Sequence, residues 1–270
     1  YNLGFRSRTA AGGHDIIVNS GGASPQPTAA RMRVMLFALI PIAQHSILLF
    51  VAVLALFAIG LLAAVTVHEA SHAFLARWQG DNTACRLGRC SLNPIRHLDP
   101  VGTVMMLTVG FGWGKPVPVN AYWLRNGPLV GGALVALAGP ASNLLTALAL
   151  AIPIRLGLVD YWDPSRFIVR GGLEALVQDP IGVLAGFVIL YNVVLGIFNL
   201  LPLAPLDGFK VALGILPRET ALSFARLEPY GPGILMALFM LSYANILPFG
   251  LGDILQPAVS FVLRTLVGSA

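Results

Sequence analysis

The stretch "TVHEASHAF", residues 66–74, closes a long apolar run, "SILLFVAVLALFAIGLLAAV", residues 46–65. That run has the length of a membrane-crossing helix, which takes about 20 apolar residues. His68, Glu69 and His72 therefore fall where a lipid-facing helix is expected. An ionisable side chain in such a segment is costly and marks a functional site by default. On a helix, positions i and i+4 lie one turn apart on one face. His68 and His72 can thus present two imidazoles to one ion, with Glu69 beside it. This is the H-E-x-x-H arrangement, in which two histidines bind zinc and the glutamate acts as general base.

The composition agrees with a membrane setting. Of 270 residues, 56% are hydrophobic and 11% charged, with a mean hydropathy of +0.78. A soluble domain carries about a quarter charged residues, so the fold class expected is an all-α polytopic membrane protein in contact with a lipid bilayer. The net charge of +5 is small. Without a basic-aromatic cluster, the basic residues read as setting orientation in the bilayer, and no nucleic-acid partner is expected. Cys85 and Cys90 are spaced C-x4-C with no second pair, which suggests two free thiols on a reducing face.

Residues 1–33 are rich in Gly, Ser, Ala and Pro without lasting periodicity, as in a mobile N-terminal tail. Residues 34–270 read as a single transmembrane domain with its core at 46–208. A helix from Ser46 to Trp78 would be about 50 Å long, more than one hydrocarbon core of about 30 Å. Either it tilts and protrudes or a short helix precedes the true span, so 34–78 crosses once or twice. Further spans at 128–157 and 180–203, and a final pair at 230–248 and 251–267, bring the total to about five to six helices. Between the first and second core helices, "VGTVMMLTVGFG" (101–112) is too short to cross and suits a re-entrant or interfacial piece. "KPVPVN" (115–120) follows, and its two prolines favour an extended backbone.

Loop charge predicts orientation. Residues 79–127 hold five basic side chains (Arg86, Arg89, Arg96, Lys115, Arg125) against Asp81 and Asp99. Residues 158–179 hold two basic against four acidic. The positive-inside rule makes the first loop cytoplasmic. The basic tail residues Arg6, Arg8, Arg31 and Arg33 also prefer the cytoplasm, which would need two crossings within 34–78.

Parity of crossings then brings His68 and Asp207, 139 positions apart, to the same membrane face. Catalytic zinc takes three protein ligands and leaves one position for water. Asp207 follows the 180–203 span in "PLAPLDGFK", where Pro202 and Pro205 break the helix and Gly208 permits close approach. His97, Asp99 and Asp81 compete for the role, but they sit in the loop. Asn143 and Asn199 carry amides that can steady a reacting carbonyl. The plainer reading of both is hydrogen bonding between helices.

"HEASH" (68–72), "GPASN" (139–143) and "NLLPLAPLDG" (199–208), in that order and each in an apolar segment, resemble the site-2 protease family of intramembrane zinc metalloproteases. "SLNPIRHLDPVGT" (91–103) and "FGWGKPVPVN" (111–120) resemble a small prokaryotic branch. The resemblance implies that His68, His72 and Asp207 bind one Zn2+ per chain, that Glu69 activates water, and that Asn143 assists near the reacting peptide. No segment reads as the PDZ or CBS domain that some members carry. The activity implied is hydrolysis of peptide bonds in single-span or other transmembrane protein substrates, near the cytoplasmic face. Lys115, Pro116, Val117, Pro118 and Val119 could pair with an unwound substrate as an added strand, with Asn199 nearby; a plain loop is the alternative. A membrane metal transporter and an inactive family member acting as a scaffold are the rival classes. The clustering of hydrophilic residues at one face, and the lack of an inverted repeat, speak against a transporter.

Overall fold

The computed structural model describes residues 46–109, 112–167, 172–244, 246 and 250–268. The expected tail at 1–33, and residues 34–45, lie outside the described residues. The described part is helical, in chain order α1 (Ile47–Trp78), α2 (Thr83–Arg86), α3 (Pro100–Val109), α4 (Gly132–Arg155), α5 (Pro164–Phe167), α6 (Gly172–Gln178), α7 (Pro180–Asn199), α8 (Asp207–Ile215), α9 (Arg218–Ala225), α10 (Gly231–Tyr243) and α11 (Leu251–Val267).

α1 begins where the Ser46 hydroxyl accepts from the Leu49 N–H at 3.2 Å, capping an otherwise orphaned donor. It ends at Gly80, whose φ of 111° no helix can continue. Its 32 residues span about 48 Å. One stripe of α1 is buried: Val53, Leu56, Gly60, Ala64, His68, His72 and Ala76. The steps of three and four keep these on one face, so the apolar seam runs directly into the two histidines.

That seam packs on α4 and α7, which also pack on each other. Between membrane helices, close backbone approach replaces the hydrophobic effect as the main source of attraction. Small residues mark the contacts. A Cβ on Gly60 would lie 2.7 Å from Tyr191 Cδ2, and one on Gly196 would lie 3.2 Å from the Pro140 carbonyl oxygen. The opposite faces expose Leu48, Val51, Leu145, Leu148 and Ile181, as lipid contact requires. α8 packs along α4, and α11 packs across α7 and α4 with Val259, Val262 and Leu263 against Ala147, Ile189 and Val193.

Among the described residues, three helical stretches are long and apolar enough to cross a membrane: Ile47–Trp78, Gly127–Arg155 and Pro180–Asn199. The second includes a π-helical turn at Gly127–Gly131 that leads into α4. The expected final pair is helical, but α10 has 13 residues and α11 has 17, short of a full span. Helices also occupy stretches whose polarity suggests loops. In 158–179, Phe167 of α5 is buried against Val53, Leu56 and Phe187.

The region between α1 and α4 is folded around its own polar contacts. Leu98 and Gly114 form an antiparallel bridge, and the Lys115 N–H donates to the His97 carbonyl at 2.8 Å. The Asp81 carboxylate accepts from the Asn120 N–H at 2.6 Å and from the N–H and hydroxyl of Thr83. Burial pushes its carboxyl up, but these donors hold it below the ordinary value. Cys85 and Cys90 are joined in a disulfide, a correction to the free thiols suggested by their spacing. The helical turn of α2 and the positive φ of Gly88, 75°, bring their Cα atoms to 4.7 Å, within disulfide range.

Candidate active site and metal centre

His68 and His72 lie on the buried stripe of α1, and Asp207 opens α8. The Nε2 atoms of His68 and His72 lie 3.0 and 3.1 Å from the same Asp207 oxygen, Oδ2. Among the described residues this is the one group of three or more His, Cys, Asp or Glu side chains spaced to hold a metal ion. Its carboxylate sits in the first turn of a helix, where the helix dipole favours negative charge.

The protons on the imidazoles follow from their outer partners. His72 Nδ1 lies 2.7 Å from the Val135 carbonyl oxygen, which can only accept, so Nδ1 carries the hydrogen. Val135 directly precedes Ala136, whose carbonyl has no helical donor because Pro140, within the continuous α4, lacks an N–H. His68 Nδ1 lies 2.7 Å from Asn143 Oδ1. The Asn143 amide is oriented by its other end: Nδ2 donates to the Ala64 carbonyl and to Asn192 Oδ1, each at 2.9 Å. Asn192 in turn donates to the Val188 carbonyl at 2.8 Å. The relay thus runs from a backbone carbonyl of α7 through α4 to His68 on α1, and it fixes Nδ1 of His68 as the donor.

Both Nε2 atoms are therefore lone pairs, and they face a carboxylate oxygen. The buried Asp207 Oδ2 accepts no hydrogen bond among the described residues. Three acceptors at such range repel one another unless a cation lies between them. Two imidazoles and a carboxylate are the ligand types of catalytic zinc, and outer hydrogen bonds of this kind orient metal-binding histidines. The donor set thus fits zinc.

Gly139 supplies the room. A Cβ there would lie 2.5 Å from His72 Nε2 and 2.7 Å from His68 Cε1. Alanine would favour the helix by about 0.5–1 kcal/mol relative to glycine, yet it would displace both rings. Gly139→Ala is expected to keep the protein folded while lowering zinc affinity about 10–100-fold. Competition with a chromophoric chelator checks this.

Glu69 lines the same cleft, its Oε1 lying 3.2 Å from where a Gly114 Cβ would be. The cleft is about 600 Å³, walled by α1, α4 and α8 and by Pro116, Val117 and Val119 of the extended segment. Lys115 is exposed and Pro118 half-buried. Asn199 also lines the cleft, its amide donating to the Leu195 carbonyl at 3.0 Å. The competing ligand candidates are engaged elsewhere. Asp99 caps α3 by accepting from the Gly102 N–H, and His97 Nε2 bonds the Ser91 carbonyl. Asn143 is wholly buried and both ends of its amide are in use, so its contact is with His68 and not with the cleft. Asn192 is the residue that sequence reasoning passed over. Its signal was the same as that of Asn143, a lone amide within an apolar span.

Comparison with known proteins places this arrangement. A match to Peptidase family M50 covers residues 166–242. The chain is 39% identical over 184 residues to "Putative zinc metalloprotease YwhC" of Bacillus subtilis, spanning 67% of this chain and 78% of that protein. The chain belongs to peptidase family M50. It is also 31% identical over 204 residues to "Putative zinc metalloprotease Rip2" of Mycolicibacterium smegmatis, spanning 73% of this chain and 71% of that protein. No solved structure matches it significantly. As an M50 peptidase with three apolar helices of crossing length among its described residues, the chain is a zinc metalloprotease and an integral membrane protein.

Proposed function

We propose that this M50 peptidase hydrolyses peptide bonds of transmembrane protein substrates, at a site near the cytoplasmic face. The observation that carries the reading is the wall of the cleft beside Glu69. Pro116 and Pro118 have no N–H, and among the described residues no hydrogen bond engages Val117 or Val119. Val117 and Val119 both line the cleft, and their backbone groups have no described partner beside the space a substrate would fill. A helical substrate hides its carbonyls in i→i−4 bonds, so it must unwind before attack. Strand addition along 117–119 would stabilise the unwound form.

His68, His72 and Asp207 would hold the zinc, with Asn143 and Asn192 fixing the tautomer of His68. Zinc supplies a Lewis acid that polarises the scissile carbonyl and lowers the pKa of water. Glu69 takes the proton of the attacking water and delivers it to the leaving amine. The low-dielectric helices around the cleft strengthen each of these interactions. The cytoplasmic assignment is supported by five basic against two acidic side chains in 79–127.

Reconstitution in liposomes with a single-span substrate tests the reading. Cleavage within the span supports it, whereas zinc flux into sealed vesicles without cleavage overturns it in favour of a transporter. Val117→Pro removes one donor while proline still suits an extended backbone. With a net hydrogen bond worth about 1 kcal/mol, it is expected to slow cleavage about five- to tenfold at low substrate. An unchanged rate would reduce 115–119 to a plain loop.

A further inference from the structure

Arg89 is a cation almost without water, 4% exposed. A buried guanidinium ordinarily finds a carboxylate, yet among the described residues none forms an ion pair with it. Its donors go to backbone carbonyls instead. Nη1 donates to the Arg96 carbonyl, and Nη2 donates to those of Lys115 and Pro116 at 3.1 Å each. Two of the three acceptors thus belong to the segment that walls the cleft. The rigid fork of a guanidinium can hold several acceptors at once, which an ammonium on a flexible stem does poorly.

The other end of the segment is held by the opposite charge, Asp81, through the Asn120 N–H. Between the two anchors lie Val117 and Val119. The loop that carries Arg89 is itself constrained, with the Cys85–Cys90 bond closing it at the adjacent residue. Gly88 in the same loop has a φ of 75°, a left-handed conformation that favours glycine and fixes the turn there. Burial disfavours the charged guanidinium, and the negative charge of Glu69 opposes that effect. Among the described residues, the hydrogen bonds of Arg89 go to backbone carbonyls alone, and it makes no hydrogen bond or ion pair with His68, His72 or Asp207.

From this geometry we infer that Arg89 is a positioning residue, a clamp that sets the register of the 115–119 edge, and hence which substrate bond is presented to Glu69. The inference rests on the strand-addition reading of that edge. Loss of the clamp should affect how substrate is held and leave the metal ligands alone.

The test compares Arg89→Gln, Arg89→Lys and Val117→Pro with wild type, all full-length in liposomes with a single-span substrate. Zinc content, KM, kcat and the cut sites by mass spectrometry are measured. For Arg89→Gln, KM is expected to rise about tenfold with kcat within about twofold, and cleavage to spread to neighbouring bonds. Arg89→Lys should fall between, with zinc content unchanged throughout. A merely structural arginine would lower kcat through loss of folded enzyme, with KM and the cut site unmoved, and that result overturns the clamp. If Val117→Pro raises KM and Arg89→Gln does not, the clamp fails and the edge stands. If Val117→Pro changes nothing, the edge reading fails and takes the clamp with it.

Discussion

Glu69→Gln is expected to stop proteolysis of a single-span substrate while zinc stays bound. Glutamine keeps the size and shape of the side chain but cannot take up a proton. Glu69 takes part in none of the hydrogen bonds that orient the imidazoles: Asn143 holds His68, Val135 holds His72, and both survive the change. The metal site should therefore remain intact, and the loss falls on proton transfer alone. General base catalysis contributes about 10²–10⁴-fold, enough to take a slow membrane enzyme below detection. The measurement is a paired one, zinc per chain alongside product formed from reconstituted substrate. Proteolysis at the wild-type rate would remove Glu69 as the base; joint loss of zinc and activity would give it a structural role instead.

Asp207→Ala is expected to release the metal as well as the activity. This carboxylate is the link between the two parts of the chain that make the site, meeting imidazoles 139 and 135 positions earlier. Without it, two imidazoles and water remain. Loss of an outer-shell partner alone weakens metal binding about 10–100-fold, and loss of a charged ligand should exceed that. Asp207→Asn, which keeps the shape but not the charge, should retain more metal than alanine does and still fail to restore full affinity. Elemental analysis after dialysis against a weak chelator measures both. Stoichiometric zinc in Asp207→Ala would show that the ion is held elsewhere.

Much of this was legible in the residues because membrane helices make few statements and make them strongly. Two histidines four positions apart share a helix face whatever the surroundings, and lipid offers them no other use. Asp207 was readable from crossing parity, since the two spans between it and His68, an even number, return the chain to the same side. The role of the asparagines was not. Whether an amide faces a cleft or a neighbouring helix depends on how three helices pack, and neither hydropathy nor spacing encodes that. Asn143 was noticed for its motif, yet its geometry is that of a hand on His68; Asn192 completes that relay. The disulfide was not legible because C-x4-C spacing alone fixes no Cα separation; the decisive element is a single helical turn followed by a left-handed glycine. Helix ends were also poorly marked. The expected 180–203 span runs past the end of α7 at Asn199, since hydropathy does not stop where hydrogen bonding does. Arg89 carried no sequence signal of its own, because its partners are backbone carbonyls, which every residue has.

The most direct measurement is X-ray absorption at the zinc edge of the purified, detergent-solubilised protein. A first shell of nitrogen and oxygen at about 2.0–2.2 Å, with the scattering signature of two imidazoles, is the predicted result. A sulfur shell at about 2.3 Å would mean that the Cys85–Cys90 bond had opened to thiolates holding the ion, and would contradict a catalytic site built by His68, His72 and Asp207.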